Sequence, residues 1–244
     1  MSGGLRCWLA EALGTAGLLA AVVGSGIAVA HDGSASGALF QHAVVVGLAL
    51  VALILAFGPV SGAHLNPAVT LANAWFGGVT WPQAASYVSA QLIGAVGGTV
   101  FTAVTFGLPV VELAATARAG WGNVAAEAAA TAGLLVVIFG LVRSGGGRVV
   151  ALAVGAYITA AIAFTASASF ANPAVTIARV LTDTYTGIRP VDVPGFLLGQ
   201  LIGAAVGVVV ISFLYDPRPA EAADVVVPHH PHTDEPRPTD VTHR

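Results

Sequence analysis

No Asp, Glu, Lys or Arg occurs between Asp32 and Glu112, and lysine is missing from the whole chain, so arginine alone supplies its fixed positive charges. Charged residues make up 9% of the 244 positions, where a soluble domain carries about a quarter. With 56% hydrophobic residues and a mean hydropathy of +0.85, the composition excludes a water-soluble fold and implies a membrane protein. The formal charge of -3 comes largely from an acidic C-terminal segment, and without a basic surface no nucleic-acid partner is expected. The single cysteine, Cys7, excludes an intrachain disulfide and a cysteine-rich metal site. Neither a metal nor a cofactor is expected, and no enzyme chemistry is visible.

A bilayer core takes about 20 helical residues, so the charge-free stretch between Asp32 and Glu112 must hold several spans. Apolar runs predict six, near 8–30, 39–57, 82–107, 124–141, 149–165 and 193–214. The first is too long for the core of a secretory signal and reads as a span.

Two further apolar segments, each only about ten residues long, are enough for half a bilayer at about 1.5 Å per residue. Each begins with the same tripeptide, Asn66-Pro67-Ala68 and Asn172-Pro173-Ala174, and each continues with Val-Thr. Proline suits the first turn of a helix, where no backbone N–H is lost, so both read as re-entrant half-helices. The flanking spans repeat too. Glu11-Ala-Leu-Gly-Thr-Ala-Gly-Leu-Leu matches Glu127-Ala-Ala-Ala-Thr-Ala-Gly-Leu-Leu, and Gln91-Leu-Ile-Gly-Ala matches Gln200-Leu-Ile-Gly-Ala. With three spans per repeat, the second copy crosses the membrane in the opposite sense. The expected fold is therefore an all-α membrane protein of six transmembrane helices plus two re-entrant half-helices in an inverted repeat.

The transmembrane domain is expected over 1–214, with repeats at about 8–107 and 124–214. Arg6, Arg143, Arg148 and Arg218 would be cytoplasmic if both termini are inside, against Arg118 and Arg189 outside, and this orientation is the one expected. Residues 215–244 carry many prolines without apolar periodicity and are expected to form a disordered cytoplasmic tail. The tail histidines, His229, His230, His232 and His243, read as solvated rather than as a metal site.

Irregular backbone at membrane depth survives only when buried in protein or lining a wet cavity. Two half-helices meeting near the midplane aim about half a positive charge each at one point, which repels cations and leaves small neutral solutes as permeants. At the cap positions Asn66 and Asn172 accept from their own helices, and their amide N–H groups are expected to stay free for a passing oxygen. Glu11 and Glu127 are too costly to face lipid and should hold the re-entrant loops by hydrogen bonds. His64 either lines the cytoplasmic mouth or braces the loop as a neutral ring. Arg179 either borders the outer vestibule or pairs with Asp183 along a helix.

On these residues, and on the run Ser61-Gly-Ala-His-Leu-Asn66, the chain resembles the aquaporin and glycerol-channel (major intrinsic protein) family over roughly 8–214. The resemblance implies a pore in every subunit, a homotetramer among membrane lipids, and a multi-pass location in the cell membrane of a bacterium. In water-selective members of that family an arginine directly follows the second motif; here Val175 stands there. Carrying over the other filter positions by spacing from Asn66 and Asn172 gives Val46, Ala160 and Ser169. Such a ring is small or aliphatic throughout, hence wide and without a fixed cation. The second motif is most similar to a bacterial subgroup linked to arsenic resistance, which implies water, glycerol-like polyols and arsenite as permeants. The alternative is a secondary transporter, because inverted repeats with half-helix sites serve that class as well.

Overall fold

The structure is a computed structural model and describes residues 3–30 and 35–216. Its helices are α1 (Gly3–Val29), α2 (Ala35–Ser61), α3 (Pro67–Trp75), α4 (Trp81–Thr105), α5 (Trp121–Arg143), α6 (Val150–Phe164), α7 (Pro173–Ala178) and α8 (Val193–Leu214). Six are long and apolar enough to cross a membrane, and α3 and α7 are the two short ones. No strand occurs among the described residues. The tail expected at 215–244 lies outside them from 217 onward.

Local chemistry sets the ends. Thr80 caps α4 in a reciprocal box with Gln83, and Pro82 fills the first turn. In both half-helices proline follows the capping asparagine directly.

The two repeats pack alike. Gly94 and Gly98 of α4 lie against the carbonyls of Ala12 and Ala16 in α1, and Gly199 and Gly203 of α8 lie against those of Val124 and Ala128 in α5. A Cβ at any of the four would overlap a backbone oxygen, so glycine is what lets these pairs of helices approach. The repeats meet where α2 crosses α6, with Gly47 facing Gly155. Leu13, Leu48, Phe101 and Phe213 keep the outer surface apolar, and the polar side chains concentrate around the half-helices between the repeats.

Candidate functional site

The segment before each half-helix is forced out of ordinary backbone conformation. Ala63 and Leu65 have φ of 46° and 49°, and the matching Ser169 and Ala171 have 42° and 46°. Left-handed conformation at a residue with a Cβ costs of order 1–3 kcal/mol and persists only where the surroundings impose it. Here the surroundings are two carboxylates. Glu11 accepts from Ser61 Oγ (2.7 Å) and His64 N (2.9 Å) on one oxygen, and from Leu65 N (2.8 Å) and Gln91 Nε2 (2.7 Å) on the other. Glu127 accepts from Phe170 N and Ala171 N, both at 2.8 Å, and from Gln200 Nε2 at 2.7 Å. Each glutamine also donates to a half-helix threonine, Gln91 to Thr70 and Gln200 to Thr176. Both glutamates are fully buried.

The carboxylates turn the amide N–H groups of these loops away from the centre of the molecule, and the asparagines meet there. Asn66 Oδ1 accepts from Ala68 N at 2.9 Å, and Asn172 Oδ1 accepts from Ala174 N at 3.0 Å and Val175 N at 3.3 Å. Their amides reach across the repeat boundary: Asn66 Nδ2 donates to Ala171 O at 2.7 Å, and Asn172 Nδ2 to Leu65 O at 2.8 Å. This corrects the expectation that both amide groups stay free. Each NH2 carries two hydrogens; one is committed to locking the half-helices together, and the other has no protein acceptor among the described residues.

One cavity of about 60 Å³ is lined by both asparagines, room for a short file of water-sized molecules. Its wall repeats every fourth residue, as one helical face does: His42, Val46, Leu50 and Ile54 on α2, and Val154, Ile158 and Ile162 on α6. Val46, Ser169, Val175, Arg179 and His64 all line it. Ser169 Oγ is buried there without a protein partner.

Ala160 does not line the cavity; it is exposed on the other side of α6. Two residues turn a helix by about 200°, so Ile158 and Ile162 face inward where Ala160 faces out. The two repeats differ in phase here: inward-facing Ile54 precedes Asn66 by twelve residues, whereas inward-facing Ile162 precedes Asn172 by ten, and α6 stops earlier before its motif than α2 does, at Phe164 against Ser61. The Arg179–Asp183 helix pair does not form either. The α-helix ends at Ala178, Arg179 opens a 3-10 turn, and Asp183 accepts instead from Ala115 N at 2.9 Å.

The major intrinsic protein family model matches residues 2–171 and 144–235, which together cover most of the chain. The chain belongs to the major intrinsic protein family. It is 45% identical over 213 residues to the aquaglyceroporin AqpS of Rhizobium meliloti, covering 87% of this chain and 91% of that one. It is 32% identical over 210 residues to a probable NIP-type aquaporin of Nicotiana alata, covering 83% and 76%. The solved structure of the aquaglyceroporin from Plasmodium falciparum shares the fold, with a TM-score of 0.66 at 24% identity over 86% of this chain and 95% of that one. The protein is thus a multi-pass membrane channel of this family and not an enzyme.

At one end of this channel's cavity the His64 ring is held on both nitrogens, Nδ1 to Thr70 Oγ1 at 3.1 Å and Nε2 by Asn73 Nδ2 at 3.2 Å. Thr70 Oγ1 donates to Asn66 O, so the ring braces the first half-helix while it lines the cavity. At the other end Arg179 Nε donates to the carbonyl of Thr186, and the guanidinium carbon lies 3.4 Å from the centroid of Phe170. Arg118, in the connection between α4 and α5, lies 5.2 Å from the same ring and donates to Gly187 O and Tyr185 O at 2.7 and 3.1 Å. Burial lowers the Arg118 pKa from the usual arginine value, with Tyr185 and Glu127 acting the other way. His42 joins Arg179 at this end through Tyr185, its ring centroid 6.0 Å away. Sequence reasoning missed His42. Its signal was its place four residues before Val46, on the same helical face and inside a charge-free stretch.

Proposed function

We propose that the chain is a passive channel for small neutral solutes, namely water, glycerol-like polyols and metalloid trihydroxides such as arsenite. The observation that carries this reading is the pair Asn66 and Asn172, each capping a half-helix, each bonded to the other repeat, and both lining one cavity. Two positive helix ends and two spare amide hydrogens at one place orient a neutral oxygen and disfavour cations and protons. The filter assigned to this pore is Val46, Ser169 and Val175, with Ile162 in place of Ala160. It has no charged side chain, which suits uncharged hydroxylated solutes wider than water. Arsenite is a neutral trihydroxide at neutral pH and presents the hydroxyl groups of a polyol. The name of the relative AqpS, an aquaglyceroporin, supports a channel with room for polyols.

A transporter coupled through ionisable side chains would carry acid–base pairs within its spans. Among the described residues the one ion pair joins Arg189 to Asp192, just before α8. The protein is assigned to a bacterial cell membrane as a homotetramer with both termini cytoplasmic and a pore in each subunit, which makes the Arg179 end the outer one.

Stopped-flow permeability of proteoliposomes to water, glycerol and arsenite tests the filter assignment. Val175→Arg should cut glycerol and arsenite permeability by about tenfold or more, a barrier change of about 1.4 kcal/mol, with water reduced less. Equal permeabilities before and after the substitution would refute it.

A further inference from the structure

We infer that Arg179 and His42 form an outer selectivity station, one helical turn beyond the Val46 and Val175 level, which bars cations and holds a permeating hydroxyl between a donor and an acceptor. The inference rests on the channel reading above and adds to it the residues that replace the missing filter cation.

The displacement is the same on both walls. Arg179 follows Val175 by four residues and His42 precedes Val46 by four, on helices that run in opposite senses with respect to this mouth. Four residues rise about 6 Å. The two side chains therefore arrive at one level, and neighbouring residues place them together there: His42 packs edge-on to Tyr185, and Arg179 donates to the carbonyl of Thr186. Both line the same cavity.

Arg179 is 5% exposed, yet no carboxylate pairs with it among the described residues. Its Nε is used on Thr186. Its two terminal nitrogens have no protein partner there and are not among the sealed, unpartnered polar atoms, so they open into the cavity. A guanidinium keeps its proton and has donors only. A cation so buried and unpaired at membrane depth belongs to a wet pathway, and there it repels other cations.

His42 supplies the complementary group. Ser25 Oγ donates to Ala21 O at 2.6 Å, so in the 2.7 Å contact between Ser25 and His42 the ring Nδ1–H is the donor. The tautomer leaves Nε2 with its lone pair. Nε2 likewise has no partner among the described residues and is not sealed. A solute hydroxyl entering this mouth can accept from Arg179 while donating to His42, a match that water, polyols and trihydroxides all make and a metal cation does not.

The test uses the full chain in liposomes, reading proton leak with an entrapped pH dye under a potassium diffusion potential, and water and glycerol flux by stopped flow. Arg179→Gln, which keeps donors but not charge, should raise proton leak about tenfold, the factor given by about 1.4 kcal/mol of lost barrier. Arg179→Met should leak as well, and Arg179→Lys should restore the low leak. His42→Phe should keep the leak low and lower the ratio of glycerol to water permeability severalfold. Wild-type leak in both neutral Arg179 variants, in preparations that still conduct water, would overturn this inference and leave the channel reading standing. A wild-type protein that passes neither water nor glycerol would overturn both.

Discussion

Asn66 Nδ2 donates to the backbone oxygen of Ala171 across 2.7 Å, and the repeat symmetry returns the bond from Asn172 to Leu65 at 2.8 Å. Each asparagine is therefore a cap for its own half-helix and a clamp on the other. Asn172→Ala removes both roles. It should cost about 1–2 kcal/mol for the cap alone and more for the unpaired Leu65 carbonyl, lowering the melting temperature in detergent and the water permeability together. Asn172→Asp keeps the cap but loses the N–H donors, so it should recover part of the stability and little of the permeability.

Glu127 accepts three hydrogen bonds, from Phe170 N, Ala171 N and Gln200 Nε2. Glu127→Gln turns one acceptor into an NH2 group that faces N–H donors. Stability should fall by about 1–3 kcal/mol, the cost of leaving buried donors unsatisfied. Thermal unfolding of the purified protein checks this. Glu11→Gln should behave in the same way, because Glu11 carries the equivalent bonds in the first repeat.

Gly203 sits where a Cβ would overlap the carbonyl of Ala128, with Thr131 also close. Gly203→Val should force α5 and α8 apart at a cost of about 1–3 kcal/mol or more, as overpacking does. The readout is the yield of folded protein in the membrane fraction. Gly97, where an added Cβ would meet no neighbouring group within 4 Å, supplies the control: Gly97→Ala should leave the yield at the wild-type level.

The architecture was legible because it is written twice. Glu11 and Glu127, Gln91 and Gln200, and the two Asn-Pro-Ala triplets repeat in one order, and the six spans appear within a few residues of their expected ends. What escaped was phase. Counting back from Asn172 assumes the phase in which α6 faces the cavity, and a two-residue offset in that phase moves the inward position from Ala160 to Ile162. His42 escaped although its place four residues before Val46 put it on the inward face of α2; only its contacts with Ser25 and Tyr185 show what it does there. The loss of the Arg179–Asp183 pair has a similar cause: α7 stops at Ala178, and nothing in the composition of that segment marks the stop. The second hydrogen of each asparagine amide could be counted in advance, whereas the carbonyl that takes the first could not.

The shift from Ala160 to Ile162 has its own test. Ile162→Ala should raise glycerol permeability relative to water by widening the wall, whereas Ala160→Val, on the exposed side of α6, should leave that ratio unchanged. A reversed pattern would return the filter position to Ala160. Both ratios come from stopped-flow light scattering on the same vesicle preparations.

The central claim is passive conduction of neutral solutes past the paired asparagines, and the most direct measurement is the initial rate of glycerol entry into proteoliposomes as its concentration rises, with and without a proton or sodium gradient. The account predicts a rate that rises linearly, does not respond to either gradient and collapses in the Asn66→Ala, Asn172→Ala double variant. A rate that saturates and follows an ion gradient would contradict it.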